Sequence, residues 1–421
     1  VAESKQKSIL AWADSASAGT GYGVVARHVL GALHATGKYK IDQLAINFHG
    51  DFVDKNDVPW EMQPARLLDP RDPHGTKMFF RTLMKKHYDI VWILNDLYVT
   101  TKVAHLVEKV REGYLASGRK PPVFVYYYPV DCHVKPDAVG MLDAADYSVC
   151  YTKHGREETL KTKPELASRL VEIPHGVDTS VFRPLTKKDI AIAKHKYFKA
   201  SPDTFIVVQV NRNSTRKQIP YSMLAFKEFK KIVPNSMMYI HTKAVDQGGE
   251  LPKVVQDLQM ESKRDFIFPG KYSPTKPVPP HILNNLYNTG DLFLSCHLGE
   301  GWGLSLTEAM AAGVPVVTGN NTCMQQQFGD NSERGYMYEC RDSIHIDSSG
   351  FRPKGLIPDI VEKMVEVYEA GPKQQNPKVV LARDWAVQHD WKEVTKKWVE
   401  LFDNLELKGE GISDEVITQE V

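Results

Sequence analysis

Short apolar runs, rich in β-branched and aromatic residues, recur along this chain, and between them apolar positions fall at helical spacing. Runs too apolar to alternate suit strands buried on both faces, and their alternation with helical stretches is the pattern of parallel βα units. In the first half this predicts strands at Ser8–Ala13, Ile90–Leu94, Val123–Tyr128, Tyr147–Tyr151 and Leu170–Ile173. In the second half it predicts Phe205–Val210, Met237–His241, Phe266–Phe268, Leu292–Ser295, Val314–Thr318 and Gly335–Tyr338. The fold class that follows is α/β with parallel sheets.

A chain of 421 residues exceeds one ordinary hydrophobic core, so two α/β domains of about 180–200 residues are expected. Between the two sets of strands lies HGVDTSVFRPLTKKD, punctuated by Gly176 and Pro184, and a charged helical segment follows it. We therefore place an N-terminal domain at 1–186 and a C-terminal domain at 187–385. In 386–406, Trp391, Val394, Trp398 and Leu401 fall at helical spacing and predict a terminal helix, and the polar, acidic stretch 407–421 reads as a loose tail.

With 42% apolar and 25% charged residues, the composition is that of a soluble globular protein. The formal charge of +1 offers no long-range attraction to nucleic acid or anionic membrane. A local basic stretch, Arg183 to Lys199 with Lys187, Lys188, Lys194, Lys196 and Lys199, reads as a solvated helix face. Five cysteines with no C-x-x-C pair argue against a disulfide framework or zinc knuckle and fit a reducing, cytoplasmic setting. No apolar run reaches the roughly 18 residues that span a bilayer, and the first residues lack the apolar region of a signal peptide, so any membrane contact is expected to be peripheral.

Two glycine loops carry candidate chemistry. The first strand runs into Gly19, Gly21 and Gly23, followed by a helix with Val24, Val25, Val29 and Leu33 on its apolar face. Such a loop either makes a tight turn only or brings backbone N–H groups against a phosphate or sugar hydroxyl. As a dinucleotide fingerprint it is weak, because Val24 stands where a small residue is needed.

The second loop lies in LFLSCHLGEGWGLSLTEAMAAGVPVVTGNN, where Glu300, Gly301 and Gly303 precede a helix that begins near Leu304 or Ser305 and carries Glu308. The glycines permit close backbone approach, and the helix start offers N–H groups and a positive dipole end to a diphosphate. Two carboxylates flanking that position suit a hydroxyl-rich ligand. Arg212, Arg216 and Lys217 follow the first strand of the second half, and ligands of parallel sheets bind beyond the carboxyl ends of strands. Neutralising a leaving diphosphate is the task these cations suit.

Together, Arg212-x4-Lys217, Glu300 and Glu308 with seven residues between them, AMAAGVPVV, and the linker-like IPHGVDTSVFRP resemble the retaining GT-B glycosyltransferases of family 4. The resemblance implies two Rossmann-like domains facing each other across a cleft, the first acceptor-side, the second donor-side, with the terminal helix packing back across them. It implies that Arg212 and Lys217 bind the donor diphosphate and Glu308 the ribose. Glu300 would meet the donor sugar, with backbone support from Gly301, Trp302, Gly303 and Leu304; Trp302 stands where the family more often has phenylalanine. Gly21 or Gly23 would close over the phosphates.

On the acceptor side, either Asp131 or His133, after the strand FVYYYP, would meet the donor sugar and acceptor hydroxyl, with Asn95 and Asp96 at the same edge. No Asp-x-Asp motif appears, so neither metal nor cofactor is expected beyond the nucleotide-sugar donor. The activity implied is retaining transfer of a hexosyl or pentosyl group to a hydroxyl of a glycan, lipid-linked sugar, small molecule, protein or modified nucleic-acid base. The rivals are a nucleotide-dependent oxidoreductase, a GT-B sugar epimerase and a non-catalytic nucleotide-sugar binding protein. Donor base and sugar, linkage and oligomeric state stay open at the level of sequence.

Overall fold

A computed structural model describes residues 6–270, 277–346 and 350–405, so the expected tail at 407–421 lies outside the described residues. The chain divides between His175 and Gly176 into two units. The segment from Lys392 onward belongs to the first, and the second runs on to Trp391.

The first unit is built on one parallel sheet of β1 (Lys7–Asp14), β2 (Tyr39–Ile46), β3 (Glu61–Pro64), β4 (Ile90–Leu94), β5 (Val123–Tyr128), β6 (Tyr147–Cys150) and β7 (Leu170–Glu172), in the order β3-β2-β1-β4-β5-β6-β7. Parallel neighbours need crossovers, and helices on both faces bury β4 and β5 at every position. In register, Trp12 of β1 pairs with Leu44 and Ile93. Its indole stacks on Phe79, with ring centroids 4.4 Å apart. The helix Trp391–Asp403 sets Trp398 edge-on against Trp92 and Tyr127. Asp403 near its end accepts from Lys38 Nζ at 2.6 Å and Tyr39 Oη at 2.9 Å.

The second unit holds β8 (Phe205–Val210), β9 (Ser236–His241), the hairpin β10 (Val245–Asp246) and β11 (Gly249–Glu250), then β12 (Phe266–Ile267), β13 (Leu292–Ser295), β14 (Val316–Asn320) and β15 (Tyr336–Glu339). A second hairpin follows, β16 (Asp342–Ile346) and β17 (Gly350–Lys354). The main sheet is parallel in the order β12-β9-β8-β13-β14-β15. Both parallel sheets thus have the α/β architecture the sequence pattern predicts.

Some elements were not in that pattern. β2 carries Lys40, Asp42 and Gln43 among its apolar residues, and β3 is a four-residue edge strand that is never fully buried. Gln43 is nonetheless buried, because its amide donates to the Asp14 carbonyl at 2.7 Å and accepts from Trp60 Nε1 at 2.9 Å. The expected solvated face from Arg183 to Lys199 needs one correction: Lys194 is 4% exposed. Its Nζ donates to the Thr204 carbonyl at 2.9 Å and to Asp291 at 2.7 Å, which satisfies a buried ammonium.

Candidate functional site

In each sheet the first strand has later strands on both sides, so the order reverses at β1/β4 and at β8/β13. Ligands of open α/β sheets bind beyond the carboxyl ends of strands at such a reversal. In the second unit the loops leaving β8, β13 and β14 meet there. The Leu298 amide donates to the Arg216 carbonyl at 2.9 Å, and the Glu300 amide donates to Thr322 Oγ1 at 3.1 Å.

Glu300 lies at the centre of this junction and is 4% exposed. Arg216 Nη1 donates to its Oε2 at 2.9 Å and also to the Gly299 carbonyl, and Lys217 Nζ pairs with its Oε1. Burial alone would raise this carboxyl, but Lys217, Arg216 and His297 overcome it and hold Glu300 well below the usual carboxylate range. His297 Nδ1 lies 3.1 Å from the Gly299 amide nitrogen, and its Nε2 lies 3.0 Å from Thr318 Oγ1.

Gly303 caps the next helix, Leu304–Ala311, with φ of +89°. A Cβ there would sit 2.9 Å from Leu306 Cδ1 in a left-handed backbone, so glycine is required. The first intrahelical bonds run from Leu306 and Thr307 to the Gly303 carbonyl, which leaves the Leu304 and Ser305 amides ahead of them at the positive end of the helix. Gly301 is buried, and Trp302 turns inward to stack on Trp385 at 6.0 Å. Its contribution at the loop surface is therefore backbone. Half-buried Glu308 accepts from Tyr287 Oη at 2.6 Å. Burial pushes its carboxyl up to about 7, against the opposing effect of the Tyr287 hydrogen bond.

Arg212, expected beside Lys217, is placed differently. Its side chain is 62% exposed and its Nε donates to Asp246 of the β10–β11 hairpin at 3.3 Å. His297, Thr322 and Tyr287 join the arrangement without having been assigned to it from sequence, whereas Arg216 was among the loop cations read as facing it. Adjacency to Lys217 was a signal for Arg216, whereas no spacing ties Tyr287 to Glu308.

In the first unit, the loop after β1 reaches the helix Gly21–Ala35, capped by Thr20, whose Oγ1 accepts from the Gly23 amide at 3.1 Å and donates to Asp14 at 2.5 Å. Gly21 is exposed at the helix start. Gly23 is buried, and a Cβ on it would lie 2.6 Å from the carbonyl oxygens of Ala18 and Ser15. Tyr22 Oη donates to Asp96 at 2.7 Å, and Asn95 accepts from the Asp96 amide at 2.9 Å. Burial, then Asp96 and Tyr151, with a smaller effect of Asp131, raise the Tyr22 phenol. His133 has a side chain 67% exposed, with Nδ1 3.0 Å from Glu158 of the helix Lys153–Thr162.

No group of three or more His, Cys, Asp and Glu side chains among the described residues is arranged to hold a metal ion. No helix among them is long and apolar enough to cross a membrane.

Residues 192–347 match the family described as glycosyl transferases group 1. One component of the phosphatidylinositol N-acetylglucosaminyltransferase of Arabidopsis thaliana is 21% identical over 261 residues, 62% of this chain and 54% of that protein. The D-inositol 3-phosphate glycosyltransferase of Nocardia farcinica is 24% identical over 271 residues, 63% of this chain and 57% of that protein. The match thus spans little more than half the length of these relatives. The sucrose-phosphate synthase of Thermosynechococcus elongatus shares the fold with a TM-score of 0.68 at 16% identity, covering 95% of this chain and 98% of that one. The fold is thus GT-B, and the similarity of residues 192–347 to the glycosyl transferases of group 1 supports glycosyl transfer from a donor sugar.

Proposed function

We propose that this protein transfers a glycosyl group from a nucleoside-diphosphate sugar to an acceptor hydroxyl with retention of configuration and without a metal ion. The observation that carries the reading is Glu300 held by Arg216 and Lys217 beside the amino end of the helix Leu304–Ala311, with Glu308 in that helix. Cations and helix amides answer a diphosphate, while the carboxylates answer sugar and ribose hydroxyls.

In this reading Lys217 and Arg212 neutralise the diphosphate as the donor bond loosens, which stabilises the charge that develops on the leaving group. Glu308 holds the ribose and Glu300 the donor sugar, supported by the backbone from Gly301 to Leu304. The acceptor hydroxyl attacks the oxocarbenium-like sugar from the leaving-group face and passes its proton to the departing phosphate. Asp131 orients the acceptor in preference to His133, whose side chain is largely exposed. Cys132, Cys150, Cys296, Cys323 and Cys340 make no C-x-x-C pair, in keeping with a reducing, cytoplasmic setting.

A thermal-shift panel of UDP-, GDP- and ADP-sugars tests the donor class, because a ligand that binds only the folded state raises the melting temperature. One class should stabilise the wild type, and Lys217→Ala should lose both that shift and turnover. A panel without any shift, or full turnover in Lys217→Ala, sinks the proposal.

A further inference from the structure

Two of the cations that suit a diphosphate, Lys217 and Arg216, are already occupied by one carboxylate of the same chain. The side chains of Lys217 and Glu300 are 12% and 5% exposed, so their attraction is little screened. Arg216 pairs with the same carboxylate at 2.9 Å, leaving two cations to one anion. The two cations differ in how they are held. Arg216 also fastens the loops together, through its guanidinium on the Gly299 carbonyl and its own carbonyl on the Leu298 amide.

We propose that Glu300 is the built-in counter-ion of the diphosphate subsite, displaced from Lys217 when a nucleoside diphosphate arrives, and that it thereby discriminates donor from spent nucleotide. The inference rests on the donor-site reading above. A bare nucleoside diphosphate takes Lys217 from Glu300 and leaves a buried carboxylate oxygen facing phosphate charge with no new donor in place of the ammonium. A sugar-bearing donor brings hydroxyl donors that re-satisfy the carboxylate. The difference favours donor binding and product release. Arg216 is a positioning residue in this scheme: it keeps Glu300 tied to the Gly299 carbonyl while Lys217 changes partner.

Titration calorimetry of wild type and Glu300→Gln with UDP, GDP and ADP, and with the matching sugar nucleotides, tests this. In Glu300→Gln the preferred nucleoside diphosphate should bind about tenfold tighter than in wild type, and the affinity ratio of donor to bare diphosphate should fall. An unchanged or weaker diphosphate affinity in that variant overturns the inference. A wild type that binds none of the three sugar nucleotides overturns the donor-site reading itself. If Glu300→Gln does not fold by circular dichroism, Glu300→Asp keeps the charge but shortens its reach to Lys217. It should bind the diphosphate several-fold tighter than wild type, and an unchanged affinity is again fatal.

Discussion

Tyr287 and Glu308, on neighbouring helices of the second unit, share a 2.6 Å hydrogen bond in which the phenol donates to the carboxyl group. Burial raises Glu308 from 4.5 to about 7 in the folded protein. Between those values the folded chain retains a proton that the unfolded chain has lost, so folding stability falls as pH rises from about 4.5 to about 7 and is flat above. The contribution is on the order of 1–3 kcal/mol. The difference in unfolding free energy between wild type and Glu308→Gln, followed by urea titration over pH 4–8, should show this slope. Tyr287→Phe, which removes the one hydrogen bond that lowers the carboxyl, should move the upper limit to higher pH.

The buried ammonium of Lys194 separates it from the exposed lysines of the same helix. Lys194→Ala leaves Asp291 without this partner and two carbonyls without a donor, and should cost about 3–5 kcal/mol by chemical denaturation. Lys188→Ala, at an exposed position, should stay within about 0.5 kcal/mol of wild type.

Two glycines of the first helix should respond in opposite directions. Gly23→Ala forces a methyl group against the carbonyls of Ala18 and Ser15 and should lower stability by about 1–3 kcal/mol. Gly31→Ala meets no atom within 4 Å and should gain roughly 0.5–1 kcal/mol from reduced chain entropy in the unfolded state. Melting temperatures of the two variants against wild type measure both effects.

Chelation tests the catalytic role given to Arg212 and Lys217. Transfer measured with excess EDTA should match the untreated rate, and added magnesium or manganese should leave it unchanged. A rate that collapses with chelator and returns with a divalent cation would transfer the diphosphate's neutralisation from these side chains to a metal.

Local pattern determined a good deal of this protein. Continuous apolar runs such as Ile90–Leu94 and Val123–Tyr128 are readable because a strand covered on both faces needs no polar position. The glycines before Leu304 and the spacing of Glu300 and Glu308 are likewise local, since a helix start and its amides are made by consecutive residues. β2 and β3 were not legible: the buried place of Gln43 depends on Trp60 and on the Asp14 carbonyl, and an edge strand has no apolar face of its own to announce it.

Tertiary structure decided the partners. Arg212 and Arg216 are both arginines of one loop, yet the first reaches Asp246 and the second Glu300, because the turn Thr215–Lys217 aims only the later residues toward the loop after β13. His133 likewise finds its partner on another element, at Glu158 of the helix Lys153–Thr162. Periodicity and capping act within a few residues, whereas which charge meets which depends on strand order, and that order is settled only when the sheet is assembled.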